Sequence, residues 1–333
     1  MARIALVHDV AGVAKIQAEL LRIAGHQVDE ISLPDMGAAW RWPMKGISLP
    51  VRFAAYAPIA NRLRKERYDI VHVHWLTHGV VGVLSGREFF VQAHGSDLHL
   101  NLSNPVYRWV TRRVLNRAKK VFYVTPNLRA YLDRYSAKLI YLPNPVDLRG
   151  IAQGSTPPTA ISKILIFTRL DPVKGVDRIF PAALRLRQLG EVTALDWGPL
   201  AREFARAYGG AVKFVKPVPH SQVGEFIRQF DVVIGQMRQG ILSLMEIEAL
   251  ACGRPLITAI DWSLYPNDPP PVIAAQGADA IVEAVEKLKS SPGELAGLSR
   301  AGRDWVFRNH SYKHHLELLE SAYFGASVGK RQP

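Results

Sequence analysis

Ten short runs of apolar, often β-branched residues alternate along this chain with segments whose apolar residues recur at helical spacing. The chain opens with "RIALVH", typical of a buried strand, and continues with "DVAGVAKIQAELLRIAGHQV", which has helical spacing up to Gly25. A helix between two strands carries the chain back along the sheet, so that the strands become parallel. The alternation therefore predicts an α/β fold of doubly wound parallel sheets.

The predicted strands fall into two series, separated by the Gly/Pro/Ser/Thr-rich stretch "GIAQGSTPPTAIS". With 333 residues, the chain is long enough for two hydrophobic cores. We expect a first domain over residues 1–150, a linker over 151–162, a second domain over 163–310, and a C-terminal segment over 311–333 with helical spacing. Ligands of such sheets bind at the carboxyl ends of the strands.

Composition excludes several classes of protein. No run reaches the roughly 18 apolar residues of a membrane-spanning helix, and the opening "MARIALVHDV" lacks the features of a signal peptide. The single cysteine, Cys252, excludes an internal disulfide framework and indicates the cytoplasm.

The net charge of +13 is concentrated in the first half of the chain. Residues 1–150 carry 21 basic and 11 acidic side chains, a net of +10, whereas residues 151–333 carry 21 and 18, a net of +3. Such a field attracts nucleic acid, an anionic membrane or an anionic substrate. We find no RNP-type or helix-turn-helix pattern, and therefore expect no nucleic-acid partner.

Three motifs could carry chemistry at strand ends. In "FTRLDPVKGVDRI", Arg169 and Lys174 follow a strand and precede a helix, where two cations and free amides suit a diphosphate; solvated loop cations are the alternative. In "AHGSDLH", His94 follows a strand, although a lone histidine there is more often structural. His72 and His74 project to one face, the spacing of a metal pair, but no third ligand is evident. No metal site is predicted.

The segment "GILSLMEIEALACGRP" carries two carboxylates on an otherwise apolar or small helix. Glu246 and Glu248 lie about 200° apart around the axis, so they cannot share a solvated face. Glu248 falls on the stripe of Leu244, Ile247 and Ala251, where a buried carboxylate needs polar partners or a function. We expect Glu248 to point inward and Glu246 to be a structural or rim residue.

The chain resembles the retaining nucleotide-sugar glycosyltransferases of family 4. The resemblance rests on the order and spacing of "GVAKIQAELLRIAGHQV", "DIVHVHW", "AHGSDLH", "LPNPVD", "TRLDPVKGVDRI", "WGPLAREF" and "MEIEALACGRPLI". It implies the GT-B fold, with two Rossmann-like doubly wound domains facing a central cleft and the C-terminal helix crossing back to the first domain. It also implies an enzyme of hexosyltransferase type that needs no metal and no cofactor.

The resemblance assigns roles to particular residues. It implies that Arg169 and Lys174 bind the donor diphosphate, that Glu248 binds the ribose hydroxyls, and that His94 lies by the transferred sugar, which makes these four the candidate catalytic residues. It implies donor contacts from a wider set: Gly12, Arg169, Lys174, Gly198, Gly240, Ile241, Leu242, Ser243, Leu244 and Glu248.

The sequence departs from the family at Gly240, where the family usually has a glutamate that helps to hold the sugar ring. Either Gln239, the backbone amides of residues 241–244, or nothing takes its place. A catalytically inactive partner subunit therefore remains an alternative, as does another GT-B enzyme such as a sugar-nucleotide epimerase or a phosphorylase.

Two basic segments of the first half bear on the acceptor. Residues 40–67 mix Trp40, Trp42, Phe53 and Tyr56 with seven cations and one acid. In "NPVYRWVTRRVLNRAKK", Asn104 and Pro105 predict the start of a helix, which has six cations and no acid. Aromatic rings among cations are typical of a membrane interface, although either segment could be a solvated helix face. Because the first domain of a GT-B enzyme receives the acceptor, we expect a lipid-linked or saccharide acceptor and a cytoplasmic protein that binds an anionic membrane peripherally.

Overall fold

The computed structural model divides into two compact units. Unit 1 comprises residues 1–145 with 313–333, and unit 2 comprises residues 146–312. The backbone is described for residues 1–34, 44–95, 97–98, 102–151 and 155–325, and within these ranges the side chains of 44–50, 52–53, 149 and 151 are not. Trp40, Trp42 and the side chain of Phe53 lie outside the described residues.

Unit 1 is built on a six-stranded parallel sheet with the strand order β2-β1-β3-β4-β5-β6. Its strands are β1 (Arg3–Val7), β2 (Gln27–Ile31), β3 (Ile70–His74), β4 (Phe90–Ala93), β5 (Lys120–Tyr123) and β6 (Leu139–Tyr141). Its helices in this part of the chain are α1 (Val13–Ile23), α2 (Met44–Lys65), α3 (Val80–Ser85), α4 (Pro105–Arg117) and α5 (Arg129–Leu132). Asn104 caps α4 by accepting hydrogen bonds from the amides of Val106 and Tyr107, which confirms the predicted helix start.

Unit 2 has a second six-stranded parallel sheet, with the order β12-β11-β10-β7-β8-β9. Its strands are β7 (Lys163–Ile166), β8 (Glu191–Leu195), β9 (Lys213–Val215), β10 (Val232–Ile234), β11 (Leu256–Thr258) and β12 (Ile273–Ala274). Its helices are α6 (Leu148–Ile151), α7 (Val176–Ile179), α8 (Ala183–Leu189), α9 (Ala201–Tyr208), α10 (Val223–Ile227), α11 (Leu244–Ala251), α12 (Ala278–Ser290) and α13 (Pro292–His310).

Both faces of each sheet are buried, as doubly wound folds require. In β7, Ile164 and Ile166 belong to one hydrophobic cluster and Leu165 belongs to another, because successive side chains of a strand point to opposite faces. The last helix, α14 (Tyr312–Phe324), packs on the unit 1 sheet, where Leu319 and Tyr323 are buried. The predicted α/β fold with two doubly wound parallel sheets is confirmed.

Candidate functional site

The loop after β7 carries both cations of the predicted diphosphate site. Asp171 begins the 3₁₀ turn Pro172–Lys174 by accepting a hydrogen bond from the backbone of that turn, and its carboxylate also forms an ion pair with Arg169. Lys174 ends the turn and donates from Nζ to Oε1 of Gln239 at 2.7 Å. Arg169 and Lys174 therefore lie at the carboxyl end of a central strand, but each contacts a different residue.

Lys174 is half-buried, and this changes its electrostatics. Burial lowers the pKa of Lys174 from its ordinary value, and Arg169 acts in the same direction, whereas the negative charges of Glu246 and Asp171 oppose the shift. An ammonium that has lost part of its water interacts with an anion more strongly than one in bulk solvent does. The position therefore suits a phosphate ligand.

Gly198 supports this loop from the end of β8. Its φ is +123°, and a Cβ atom there would lie 2.4 Å from the carbonyl oxygen of Leu170. Hydrogen bonds from the Leu170 amide to Trp197 and from the Leu200 amide to Leu170 fix the two loops together. Only glycine permits this approach of two backbones, so Gly198, a predicted donor contact, shapes the segment that carries Arg169 and Lys174.

Glu246 holds together the loop that precedes α11. It is fully buried, and its carboxylate accepts hydrogen bonds from the amide of Gln236 at 3.1 Å, from the amide and hydroxyl of Ser243 at 2.8 and 2.7 Å, and from the hydroxyl of Thr258. Burial raises the pKa of Glu246, and the hydrogen bonds from Thr258 and Ser243 oppose that shift. Of the two positions expected for Glu246, structural or rim, the structural one is correct, because its buried carboxylate on α11 binds the loop before the helix.

The amides of residues 241–244 are not equally available to a ligand. The amide of Leu242 donates to the hydroxyl of Tyr265 at 3.0 Å, and that of Ser243 donates to Glu246. Both amides already have partners, so a donor contact from Leu242 or Ser243, which stays a prediction, would have to come from another atom of the residue. Among the described residues, the amides of Ile241 and Leu244 have no hydrogen-bond partner; Leu244 begins α11, and Ile241 lies two residues before its N-cap, Ser243.

Gly240 has a backbone conformation that a glutamate would rarely adopt. Its φ is +68°, a left-handed value that side chains other than glycine rarely adopt, and a Cβ atom there would lie 3.1 Å from Cβ of Asp261. The amide of Asp261 donates to the carbonyl of Gly240 at 2.9 Å, which fixes this approach. The neighbouring Gln239 directs its side chain to Lys174.

Glu248 lies on α11, on a different side from Glu246. It is 4% exposed, as expected for an inward residue, and its Oε1 lies 3.0 Å from Nε2 of His220. Burial raises the pKa of Glu248, while His220 opposes the shift. The side chain of His220 is 73% exposed, so the carboxylate is not paired to a cation of the core. No sequence motif pointed to His220, since the contact joins residues 28 positions apart.

His94 in unit 1 lies at the carboxyl end of β4, as predicted. The loop around it is organised by Asp97, whose buried carboxylate accepts hydrogen bonds from the amides of Leu76, His94 and Gly95 at 3.1, 3.1 and 2.9 Å. Nε2 of His94 lies 3.1 Å from Nδ1 of His74 at the end of β3. Asp97 therefore ties together the ends of two neighbouring strands, a wider role than capping the residues next to it in the chain.

The histidines of β3 are buried side by side. The rings of His72 and His74 stack with centroids 4.7 Å apart, and Nδ1 of His72 lies 2.6 Å from the hydroxyl of Tyr323. Burial lowers the pKa of His72 and of His94 to about 3, and that of His74 well below its ordinary value. Within the described part of the chain, no group of three or more His, Cys, Asp or Glu side chains could hold a metal ion.

Three non-glycine residues in the described ranges have positive φ, and all three follow β1 or β3. These are His8, Ala11 and Trp75, with φ values of 66°, 54° and 75°. Gly12, a predicted donor contact, comes next in the chain with φ of 80° and is the N-cap of α1. Strained backbone is tolerated chiefly at functional sites, and Trp75 directly precedes Leu76, whose amide donates to Asp97 of the His94 loop.

Two family models match the chain. The model described as Glycosyltransferase Family 4 matches residues 13–149, and one described as Glycosyl transferase-like matches residues 176–321. The chain belongs to glycosyltransferase family 4. A D-inositol 3-phosphate glycosyltransferase of Kribbella flavida is 24% identical over 312 residues, which cover 78% of this chain and 73% of that protein.

Solved structures identify the fold of this family 4 glycosyltransferase as GT-B. A glycosyltransferase from Rickettsia africae has a TM-score of 0.74 at 17% identity and covers 99% of both chains. HepE of Anabaena, solved in complex with UDP-glucose, has a TM-score of 0.69 at 13% identity and covers 96% of this chain and 99% of its own. At these identities the likeness establishes the fold alone.

Proposed function

We propose that this glycosyltransferase transfers a sugar, with retention of anomeric configuration, from a nucleoside diphosphate sugar to an acceptor. The observation that carries the proposal is the position of Lys174, which is half-buried at a strand end and bonded to Gln239 of the loop before α11. Cations and helix amides are suited to the charge that develops on a departing diphosphate. The HepE structure contains UDP-glucose, which supports a donor of this class.

Glu248 is proposed to bind the ribose hydroxyls of the donor. Its carboxylate has one hydrogen-bond partner in the described residues, the exposed His220, so two hydroxyl donors could replace the water that burial removes. A carboxylate held by the core would instead have several partners, as Glu246 has. The role of His94 beside the transferred sugar stays a prediction.

Metal independence follows from the same arrangement and is part of the proposal. Arg169, Lys174 and the amides of Ile241 and Leu244 would supply the positive charge that a divalent cation supplies in other transferases. Arg169 is ion-paired with Asp171, so its charge toward a ligand is partly neutralised. Lys174 is therefore expected to contribute more than Arg169.

The acceptor is proposed to be lipid-linked or otherwise presented at an anionic membrane. Helix α4 exposes 66% of Trp109 and 45% of Val106, and Arg112, Arg113 and Arg117 of the same helix are also exposed. Apolar rings among cations suit the interface of an anionic bilayer. Tyr56, by contrast, is buried and bonded to His78, so the expectation that it is interfacial is wrong. No helix of the described residues is long and apolar enough to cross a bilayer.

A donor panel tests the proposed function. Purified protein would be incubated with nucleoside diphosphate sugars that differ in base and sugar, and release of the nucleoside diphosphate and the anomeric configuration of the product would be measured. We expect release from one donor class, a retained configuration, and little loss of rate in excess chelator. A strict requirement for a divalent ion would mean that the phosphate site is assigned to the wrong residues. Inactivity with every donor would favour the alternative that the protein is a catalytically inactive partner subunit.

A further inference from the structure

The contact between His74 and His94 restricts where the protons of both rings can lie. The two residues end adjacent strands of the unit 1 sheet, where His74 is opposite Gln92 in the register of β3 and β4. Their rings stack with centroids 5.3 Å apart, and Nδ1 of His74 lies 3.1 Å from Nε2 of His94. At this distance one ring must donate and the other must accept.

Burial decides which of the two rings donates. Both rings are held neutral, because desolvation lowers the pKa of each far below its ordinary value. Nε2 of His74 is buried and has no hydrogen-bond partner within the described residues. If His94 donated, Nδ1 of His74 would accept, and Nε2 of His74 would carry a buried, unpaired N–H. If His74 donates from Nδ1, its Nε2 holds only a lone pair. Unpaired buried N–H groups are the rarer and costlier case.

We propose that His74 is a positioning residue that donates to Nε2 of His94, so that His94 carries its proton on Nδ1 and acts as a hydrogen-bond donor, not as a general base. With its Nε2 lone pair taken, His94 has no acceptor site for a substrate proton. Nδ1 of the half-buried His94 has no partner in the described part of the chain and can donate to a hydroxyl or carbonyl oxygen. The tautomer of His94 is independent of the proposed function; only the identification of the transferred sugar as the acceptor of that hydrogen bond rests on it.

Nitrogen-15 NMR of histidine-labelled protein tests the assignment directly, because protonated and unprotonated ring nitrogens have distinct shifts. We expect Nδ1 of His94 to carry the proton in the wild type. His74→Phe removes the donor, so the nitrogen-15 shift of Nε2 of His94 should move as its lone pair loses the hydrogen bond, and the kcat of sugar transfer should fall roughly fivefold, the usual value of one neutral hydrogen bond. His74→Asn should restore both, since its amide N–H lies two bonds beyond Cβ, like Nδ1–H of histidine.

His72→Phe is the matched control, because His72 is equally buried and stacks on His74 without contacting His94 by a hydrogen bond. It should lose stability as His74→Phe does but leave the nitrogen-15 shift of Nε2 of His94 unchanged. A wild-type His94 protonated on Nε2, or a His74→Phe variant with an unchanged Nε2 shift and kcat, would overturn the assignment. If His74→Phe does not fold, the spectra of the wild type and His74→Asn still decide. A wild type that transfers no sugar but shows Nδ1–H would refute the proposed function alone.

Discussion

Replacing each glutamate of α11 by glutamine should separate stability from donor binding. The carboxylate of Glu246 accepts four hydrogen bonds, two on each oxygen, in full burial. In Glu246→Gln, one oxygen becomes an NH₂ group that faces a backbone N–H. The amide of Gln236 or of Ser243 then loses its acceptor, at about 1–3 kcal/mol, and a hydroxyl must turn away as well. We therefore expect a loss of about 2–4 kcal/mol.

Glu248→Gln keeps an acceptor oxygen for His220, the one partner of this carboxylate in the described part of the chain, whose side chain is largely exposed. The ion-pair contribution to stability is therefore small, below about 1 kcal/mol. Donor affinity should fall by about 1.5–3 kcal/mol, since the hydrogen bonds to the ribose would lose a charged acceptor.

Urea unfolding, thermal melting and donor titration of the two variants measure these effects. For a domain of the size of unit 2, the loss expected for Glu246→Gln corresponds to a melting temperature lower by roughly 4–16 °C. Glu248→Gln should melt near the wild type and bind donor more weakly. The reasoning would be refuted if Glu248→Gln melted far below the wild type with its donor affinity intact, because the carboxylate would then be a core partner and not a ligand group.

Three further predictions concern other parts of the chain. The pKa values of His72 and His94 are about 3 in the folded state and near 6.5 in the unfolded state, so the unfolded state binds more protons between these pH values. The free energy of unfolding should therefore fall as pH drops from 6.5 toward 3, by at most about 1.4 kcal/mol per pH unit for each histidine. His72→Phe should reduce this pH dependence, as measured by urea unfolding at several pH values. The protein should bind vesicles of anionic lipid more weakly as salt rises, and Trp109→Ala should weaken the salt-resistant part; equal binding to neutral vesicles would contradict this. Gly198→Ala should destabilise unit 2 by about 2 kcal/mol or more, since its Cβ would clash with the Leu170 carbonyl. An unchanged melting temperature would show that the two backbones do not lie this close.

The sequence predicted most strands because their cores are continuous apolar runs, and it failed where burial was partial. β2 was not predicted, since Asp29 and Glu30 interrupt it and only Val28 and Ile31 are buried. β12 is two residues long and leaves no periodic signal. The helix predicted after Gly175 is interrupted by a 3₁₀ turn at Phe180–Ala182, where Pro181 cannot continue the helical hydrogen bonds.

The candidate site was predictable to the extent that strand ends fix positions. Arg169, Lys174 and His94 lie just after the ends of strands. Their positions could be predicted because each is only a few residues from its own strand in the sequence. The partners of Glu246 and the occupied amide of Leu242 could not be predicted, because Thr258 and Tyr265 come from other segments of the chain. A helical wheel separates two carboxylates by angle, but it cannot tell which neighbouring segment buries each one. Both proved to be buried.

Lys174 is proposed to stabilise the departing diphosphate, and the turnover of Lys174→Ala tests this role. The matched control is Lys163→Ala, which removes an exposed lysine from the start of the same strand. We expect Lys174→Ala to lower kcat by roughly 100-fold or more, with acceptor binding unchanged and no rescue by added divalent ions, and Lys163→Ala to keep wild-type turnover. If Lys174→Ala turned over like Lys163→Ala, the diphosphate would have to bind elsewhere and Lys174 would have no part in sugar transfer.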